Sequence, residues 1–197
     1  MRGRGGRTVR LPTAPEARPA SEVTPVAVSP WLIRVARLRV TGGFLVAVLA
    51  YWLAQPIWQS LLTGAVVALV GEGVRFWAAG HLEKATEVTV SGPYRWTRHP
   101  LYVGSSIMGL GVAVTSRAPL VAVLVTAYLV VSLGVAARLE EATLRAKFPG
   151  DYKRYAEGTV RDDRSFSLAR ARRNGEVQTL LGLLAALALL ALKIPCI

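Results

Sequence analysis

Five apolar stretches punctuate the chain, at 42–54, 57–79, 101–115, 120–137 and 177–194. A helix needs about 20 residues to cross the apolar part of a bilayer. The second and fourth stretches are comfortably long enough; the first, third and fifth must borrow flanking residues. Gln55-Pro56 separates the first two stretches, and Ser116-Arg-Ala-Pro119 separates the third from the fourth. Proline lacks a backbone donor and biases the residue before it away from helix, so both segments predict tight turns. The pattern therefore predicts an all-α integral membrane protein with about five transmembrane helices, two hairpins plus a final helix. Residues 31–40 mix apolar side chains with Arg34, Arg37 and Arg39, which predicts a separate interfacial helix. Residues 1–30, rich in Arg, Pro, Gly and Ala, predict a disordered tail ahead of a single domain spanning 31–197.

Composition agrees with this pattern. Of 197 residues, 52% are hydrophobic and 18% charged, yet 24 Lys and Arg face 12 Asp and Glu, for a net charge of +12. A nucleic-acid binder would account for the charge but not for the apolar runs, so no nucleic-acid partner is expected. A multi-pass membrane protein accounts for both. Eight cations precede Thr41, three lie in 81–100 and ten in 138–173, whereas the opposite loops carry only Arg117 and Lys193. That split predicts a cytoplasmic amino terminus and cytoplasmic long loops. A single cysteine, Cys196, excludes an internal disulfide framework and a Cys-based zinc site, and two histidines leave little for a His-ligated metal.

The candidate chemistry lies where the apolar stretches are interrupted. Residues 91–104 read SGPYRWTRHPLYVG. Pro100 can open a helix, which puts Arg98 and His99 where a loop enters the third span. A helix amino terminus there suits an anion. Tyr94, Arg95 and Trp96 fit a membrane-interface belt. Glu140-Glu141 follow the fourth stretch and point about 100° apart on a helix, so one can face the bundle and the other solvent. Alternatively they form a solvated helix end paired with Arg37, Arg138 or Arg145. Tyr152 and Tyr155 share a helix face and could stack on a flat ring or simply pack. Arg75 lies within the second stretch, one turn after Glu72; it either snorkels to the interface, pairs with Glu72 or meets a substrate. Gly104, Gly109 and Gly111 suit close helix packing or the approach of a ligand. No strand precedes them, so they are not a dinucleotide fingerprint.

Taken in order, Gly92-Pro-Tyr-Arg, Arg98-His-Pro-Leu-Tyr-Val-Gly104, an apolar hairpin, and Glu140-Glu141 with Leu144, Phe148, Tyr152 and Tyr155 resemble the isoprenylcysteine carboxyl methyltransferase family. That family is itself similar to the phospholipid N-methyltransferases of membranes. The resemblance covers about residues 71–161 and leaves out the tail, the first span and the last. It implies S-adenosylmethionine bound at the cytoplasmic face. It also implies a lipophilic acceptor, an isoprenoid, lipid or lipidated molecule, entering from the bilayer, and methylation at a carboxylate. On this resemblance His99, Pro100, Leu101, Tyr102, Gly104, Glu140, Tyr152 and Tyr155 line the cofactor site. Arg98 and Glu141 are the catalytic candidates, and Arg98 and Arg75 meet the acceptor; no metal is required. The chain departs from the family pattern after Arg161, where Asp162-Asp163 stand in place of a proline.

Two other readings compete. Membrane sterol reductases are similar in this region and bind NADPH, a longer cofactor that needs more cationic contacts than Arg98 and Arg161 supply. A non-catalytic membrane scaffold would use the small residues for assembly.

Overall fold

The computed structural model describes residues 30–83, 87–157 and 162–195, and these contain helices and connecting segments but no strand. The expected tail lies outside the described residues, apart from Pro30. The helices are α1 (Pro30–Leu53), α2 (Trp58–Ala79), α3 (Pro100–Ser116), α4 (Pro119–Lys147), α5 (Pro149–Ala156), α6 (Leu168–Arg173) and α7 (Glu176–Ala191), with one 3-10 turn at Gly92–Arg95. By length and composition α2 and α4 can each cross a membrane. The apolar part of α1 (Leu38–Leu53), α3 and α7 form shorter apolar helices. Their outward faces are apolar: Phe44, Trp52 and Val130 are each about 70% exposed or more. Such surface is costly in water and suits lipid.

Most boundaries follow the expected punctuation. Pro100 and Pro119 occupy the first turns of α3 and α4, where a missing N–H costs nothing. The Gln55 N–H donates to the Ser116 carbonyl at 2.9 Å and so ties the two hairpin turns together.

Two boundaries differ from expectation. The arginine-bearing segment 31–40 is not a separate interfacial helix but the first part of α1. Nothing between it and the apolar stretch is a strong breaker, because glycine weakens a helix by only about 1 kcal/mol. Gly43 also admits Tyr128, whose hydroxyl would lie 2.6 Å from a Cβ at that position. That hydroxyl donates to the Arg39 carbonyl, joining α4 to α1. α4 runs ten residues past its apolar stretch, because Arg138, Leu139, Glu140, Glu141 and Ala142 are all good helix formers.

The closest packing is between α2 and α3. Gly64, Ala68 and Gly71 on α2 meet Gly104, Gly111 and Thr115 on α3. A Cβ on Gly71 would lie 2.6 Å from the Met108 nitrogen and 2.7 Å from the Gly104 carbonyl, so the two backbones touch directly. α7 runs antiparallel to α2 and builds the apolar core with it through Leu61, Ala68, Leu183, Leu187 and Leu190.

The flanks of α7 also cap other helices. Asn174 Nδ2 donates to the Ala79 and Leu82 carbonyls at the end of α2. Lys193 Nζ donates to the Tyr51, Trp52 and Ala54 carbonyls at the end of α1. The last carbonyls of a helix have no partner within it, and lipid supplies none. A cation at a helix carboxy terminus also favours its dipole.

Candidate active site

The loop-to-helix step at His99-Pro100 puts the imidazole at the mouth of the α3–α4 hairpin, opposite the extended end of α4. His99 Nε2 lies 3.2 Å from Glu141 Oε1, and Nδ1 lies 3.8 Å from Glu140 Oε2. One turn into α3, the Tyr102 hydroxyl donates to Glu140 Oε2 at 2.7 Å. Its ring stacks on His99 at 5.2 Å with 13° between planes. Both carboxylates therefore converge on one imidazole, where the sequence suggested that one would turn away. The separation of neighbouring helical positions lets the two side chains bracket the ring from either side.

A second set of groups covers this cluster. α4 breaks at Phe148, and α5 places Tyr152 and Tyr155 edge-to-face at 6.4 Å. The Tyr155 hydroxyl donates to the Tyr94 carbonyl, tying α5 to the 3-10 turn. Arg145 donates to Glu141 Oε2 at 3.3 Å, and its guanidinium lies 5.4 Å from the centre of the Tyr152 ring. Burial, followed by the Glu140 charge, raises Tyr94 above its ordinary value. Tyr155 is pushed up to about 12, mainly by burial, against the lowering effect of Arg98. Both phenols stay neutral O–H donors at physiological pH. Two buried polar atoms here have no hydrogen-bond partner, His99 Nδ1 and the Tyr152 hydroxyl. Such atoms are costly unless something meets them.

The other expected residues lie elsewhere or play different parts. Arg98 is exposed on the loop, close enough for its charge to act on Tyr155. Pro100 is fully buried, and the Leu101 carbonyl accepts from Ser105. Gly104 faces α2 rather than the cluster: a Cβ there would meet the Gly71 carbonyl at 2.7 Å and Arg75.

Arg75 does form the expected pair with Glu72, but its shorter contacts lie elsewhere. Its Nε and Nη2 grip Glu176 at 3.1 and 2.9 Å, and Nη1 donates to Ser105 at 2.5 Å, with Glu72 farther off at 3.6 Å. Of the cations expected beside Glu140-Glu141, Arg145 does pair with Glu141; nothing local in the sequence marked the Tyr94 carbonyl. Glu176 was equally silent, a hundred residues from its partner. Among the described residues no group of three His, Cys, Asp or Glu side chains could hold a metal ion.

An all-helical apolar bundle with a polar cluster at one end of a hairpin defines a membrane protein with a polar, partly covered site. The chain belongs to the phospholipid methyltransferase family, whose match covers residues 38–150. It is 35% identical over 112 residues to the nickel-cobalt-cadmium resistance protein NccN of Alcaligenes xylosoxydans xylosoxydans, covering 55% of this chain and 50% of that one. It is 32% identical over 138 residues to the cobalt-zinc-cadmium resistance protein CzcN of Cupriavidus metallidurans, covering 64% of this chain and 61% of that one. The chain thus spans between half and three-fifths of the length of these relatives. No solved structure matches it.

Proposed function

We propose that the chain is a five-span S-adenosylmethionine-dependent methyltransferase with its amino terminus in the cytoplasm, acting on the carboxylate of a lipophilic, isoprenoid or lipid-like acceptor. The single observation that carries this is the convergence of Glu140, Glu141 and Tyr102 on His99 in a chain of this family. The residues present suit the cofactor. Glu140 and Glu141 can accept from an ammonium and from ribose hydroxyls, the two α5 tyrosines offer flat faces, and His99 Nδ1 and the Tyr152 hydroxyl lack hydrogen-bond partners. When bound, the cofactor supplies an electrophilic methyl group on a sulfonium.

The chain's own residues then bind, orient and dry the site. His99, Tyr102 and Glu140 hold the cofactor with Tyr152 and Tyr155 closing over it. Arg98 reaches from the loop to hold the acceptor carboxylate, which its fork matches bidentately. A carboxylate is already anionic, so that reaction needs no general base. Glu141, bonded to His99, is the group that would take a proton from an amine or hydroxyl acceptor. Positioning and exclusion of water supply the remainder.

Calorimetric titration of S-adenosylhomocysteine in detergent tests the reading. His99→Ala and Glu140→Gln should each weaken binding by about 1–3 kcal/mol, the cost of a lost buried partner. NADPH should give no heat. Unchanged affinity in both folded variants would remove these residues from the site, and binding of NADPH instead would replace the methyltransferase reading with a reductase.

A further inference from the structure

The His99 cluster receives a charge from a helix that lies outside its motifs. α1 and α4 run antiparallel, because the Gln55–Ser116 bond ties the turn after α1 to the turn before α4. Side chains lean toward the start of their own helix. Arg39, on α1, therefore leans toward the end of the bundle that holds His99. Glu140, on α4, leans the opposite way, toward Arg39. The Tyr128 hydroxyl fixes this register by donating to the Arg39 carbonyl at 3.2 Å, and Gly43, one turn on, leaves room for the Tyr128 ring.

Arg39 is half-buried and close enough for its charge to act on the Tyr102 phenol, the same phenol that bonds Glu140. Among the described residues its guanidinium has no hydrogen bond or ion pair; the bond at this residue uses its carbonyl. Arg145, by contrast, is already paired with Glu141. A guanidinium at the edge of the apolar layer without an anion is costly. Tyr102 also lines a groove of 580 Å3 between α3 and α4, together with Gly109 and Gly134, but Arg39 does not. The space between Arg39 and the Tyr102–Glu140 pair is thus a separate part of the site, with a cation on one wall and a carboxylate on the other.

An α-amino acid carries both matching charges on one carbon. We propose that Arg39 holds the carboxylate at the amino-acid end of the methyl donor while Glu140 accepts from its ammonium. The proposal rests on the methyltransferase reading and adds a cofactor contact from α1, a helix outside the stretch that carries the resemblance. Two opposite charges on two helices read the pair of charges together: the guanidinium fork matches a carboxylate bidentately, and an amine without a carboxylate leaves that fork unmet. Adenine and ribose are neutral and make no demand on Arg39. Arg98 stays with the acceptor.

The test is calorimetric titration of the full chain in a non-ionic detergent with two ligands, S-adenosylhomocysteine and its decarboxylated analogue, which keeps the ammonium, thioether and adenosine. The wild-type chain should prefer S-adenosylhomocysteine about tenfold or more, the scale of a hydrogen bond to a charged group. Arg39→Gln should lose that preference by binding S-adenosylhomocysteine about tenfold more weakly while the analogue's affinity stays the same. The unchanged analogue shows that the site is still folded. Arg34→Gln, an exposed arginine nearer the start of α1, should keep the full preference.

Three results would overturn the proposal alone: a wild-type chain that binds both ligands equally, an Arg39→Gln chain that keeps the preference, or one that weakens both ligands alike. The second is what an arginine snorkelling to lipid phosphate would give, and the third what a purely structural arginine would give. Loss of the preference in Arg34→Gln as well would assign it to the general positive field of α1 and would also overturn it. A wild-type chain that binds neither ligand would instead remove the methyltransferase reading, and this contact with it.

Discussion

α3 meets α2 on one face and α4 on the other, and both faces carry small residues, with opposite results. Toward α2, Gly104 and Gly111 stand seven residues apart opposite Gly71, Gly64 and Ala68, and the backbones come into contact. Toward α4, Ser106, Gly109 and Ala113 meet a wall from which Leu129 and Val125 reach across against Gly109, and a groove remains. Small residues draw helices together only when both partners are small at the same level. When one partner is large, its side chain acts as a spacer, and the missing Cβ atoms become a cavity. The two seams also end differently. The closed one ends on Arg75, Ser105 and Glu176, hydrogen-bonded to one another, with buried Glu72 3.6 Å from Arg75 and its carboxylate oxygens without a hydrogen-bond partner. The open one ends on His99, bonded to Glu141 through Nε2 but with Nδ1 lacking a hydrogen-bond partner, and on Tyr152, whose hydroxyl also lacks one. The closed seam holds the bundle; the open one leaves room for a ligand.

The hardest way to break this contrast is to remove the charge that locks the closed seam. Arg75→Ala would leave Glu176 and Glu72 buried without their cation, a change worth about 3–5 kcal/mol when a buried pair loses one partner. Denaturant titration in detergent should show that loss. The triple variant Arg75→Leu/Glu176→Leu/Glu72→Leu should recover much of it, because apolar side chains of similar volume replace a buried charged set well. A single variant as stable as wild type would show that α7 does not depend on the pair.

Glycine replacement sharpens the comparison directly. Gly71→Leu must push its Cβ into the backbone of α3 and should destabilise by about 3 kcal/mol, the upper end of ordinary overpacking. Gly134→Leu enters open space and should change stability by no more than about 0.5 kcal/mol, as substitutions away from packed features do. Equal effects in the same unfolding assay would erase the distinction between the seams.

The sequence disclosed one seam's end better than either seam's interior. Local chemistry was legible. Gln55-Pro56, Pro100 and Pro119 mark helix limits because proline acts within a residue or two of itself. The Arg-His-Pro and Glu-Glu motifs mark the open mouth because both stand at helix ends. Partners far apart in the chain were not legible. Nothing local says that Glu176 will reach Arg75, that Lys193 will cap α1 or that Asn174 will cap α2, since only the packing of α7 on α2 brings them together. Nor could spacing say that Gly104, inside the recognisable motif, would turn toward α2 while Tyr102, two residues earlier, turns toward α4. That follows from the rotation of α3, which the Gly71 contact fixes.

The smallest expected effect distinguishes the two histidines. His99 guards the open seam; His81 lies just past α2, at the same end as the closed one. His81 is buried, with Nδ1 3.2 Å from the Ser91 hydroxyl and its ring edge-on to Phe166. Its ring also fills the space where a Cβ on Gly92 would stand, which keeps that position, at φ +56°, to glycine. Burial is the main reason its pKa lies below the ordinary 6.5, with the Arg170, Arg164 and Arg95 charges adding to it and a hydrogen bond to the Arg164 backbone opposing it. Those arginines are tied in turn to Glu83, Glu87 and Asp163. As pH falls through 6.5, the unfolded chain takes up a proton that the folded chain does not. Stability therefore decreases on acidification from 6.5 down to the lower folded value, and well above 6.5 the contribution is absent because both states are neutral. Thermal melts of the wild-type chain between pH 7.5 and 5.5 should show a falling midpoint, with a shallower fall in His81→Gln, whatever the variant's absolute midpoint. Parallel slopes would mean that the closed end has no titrating histidine in that interval and that any acid sensitivity belongs to the open mouth.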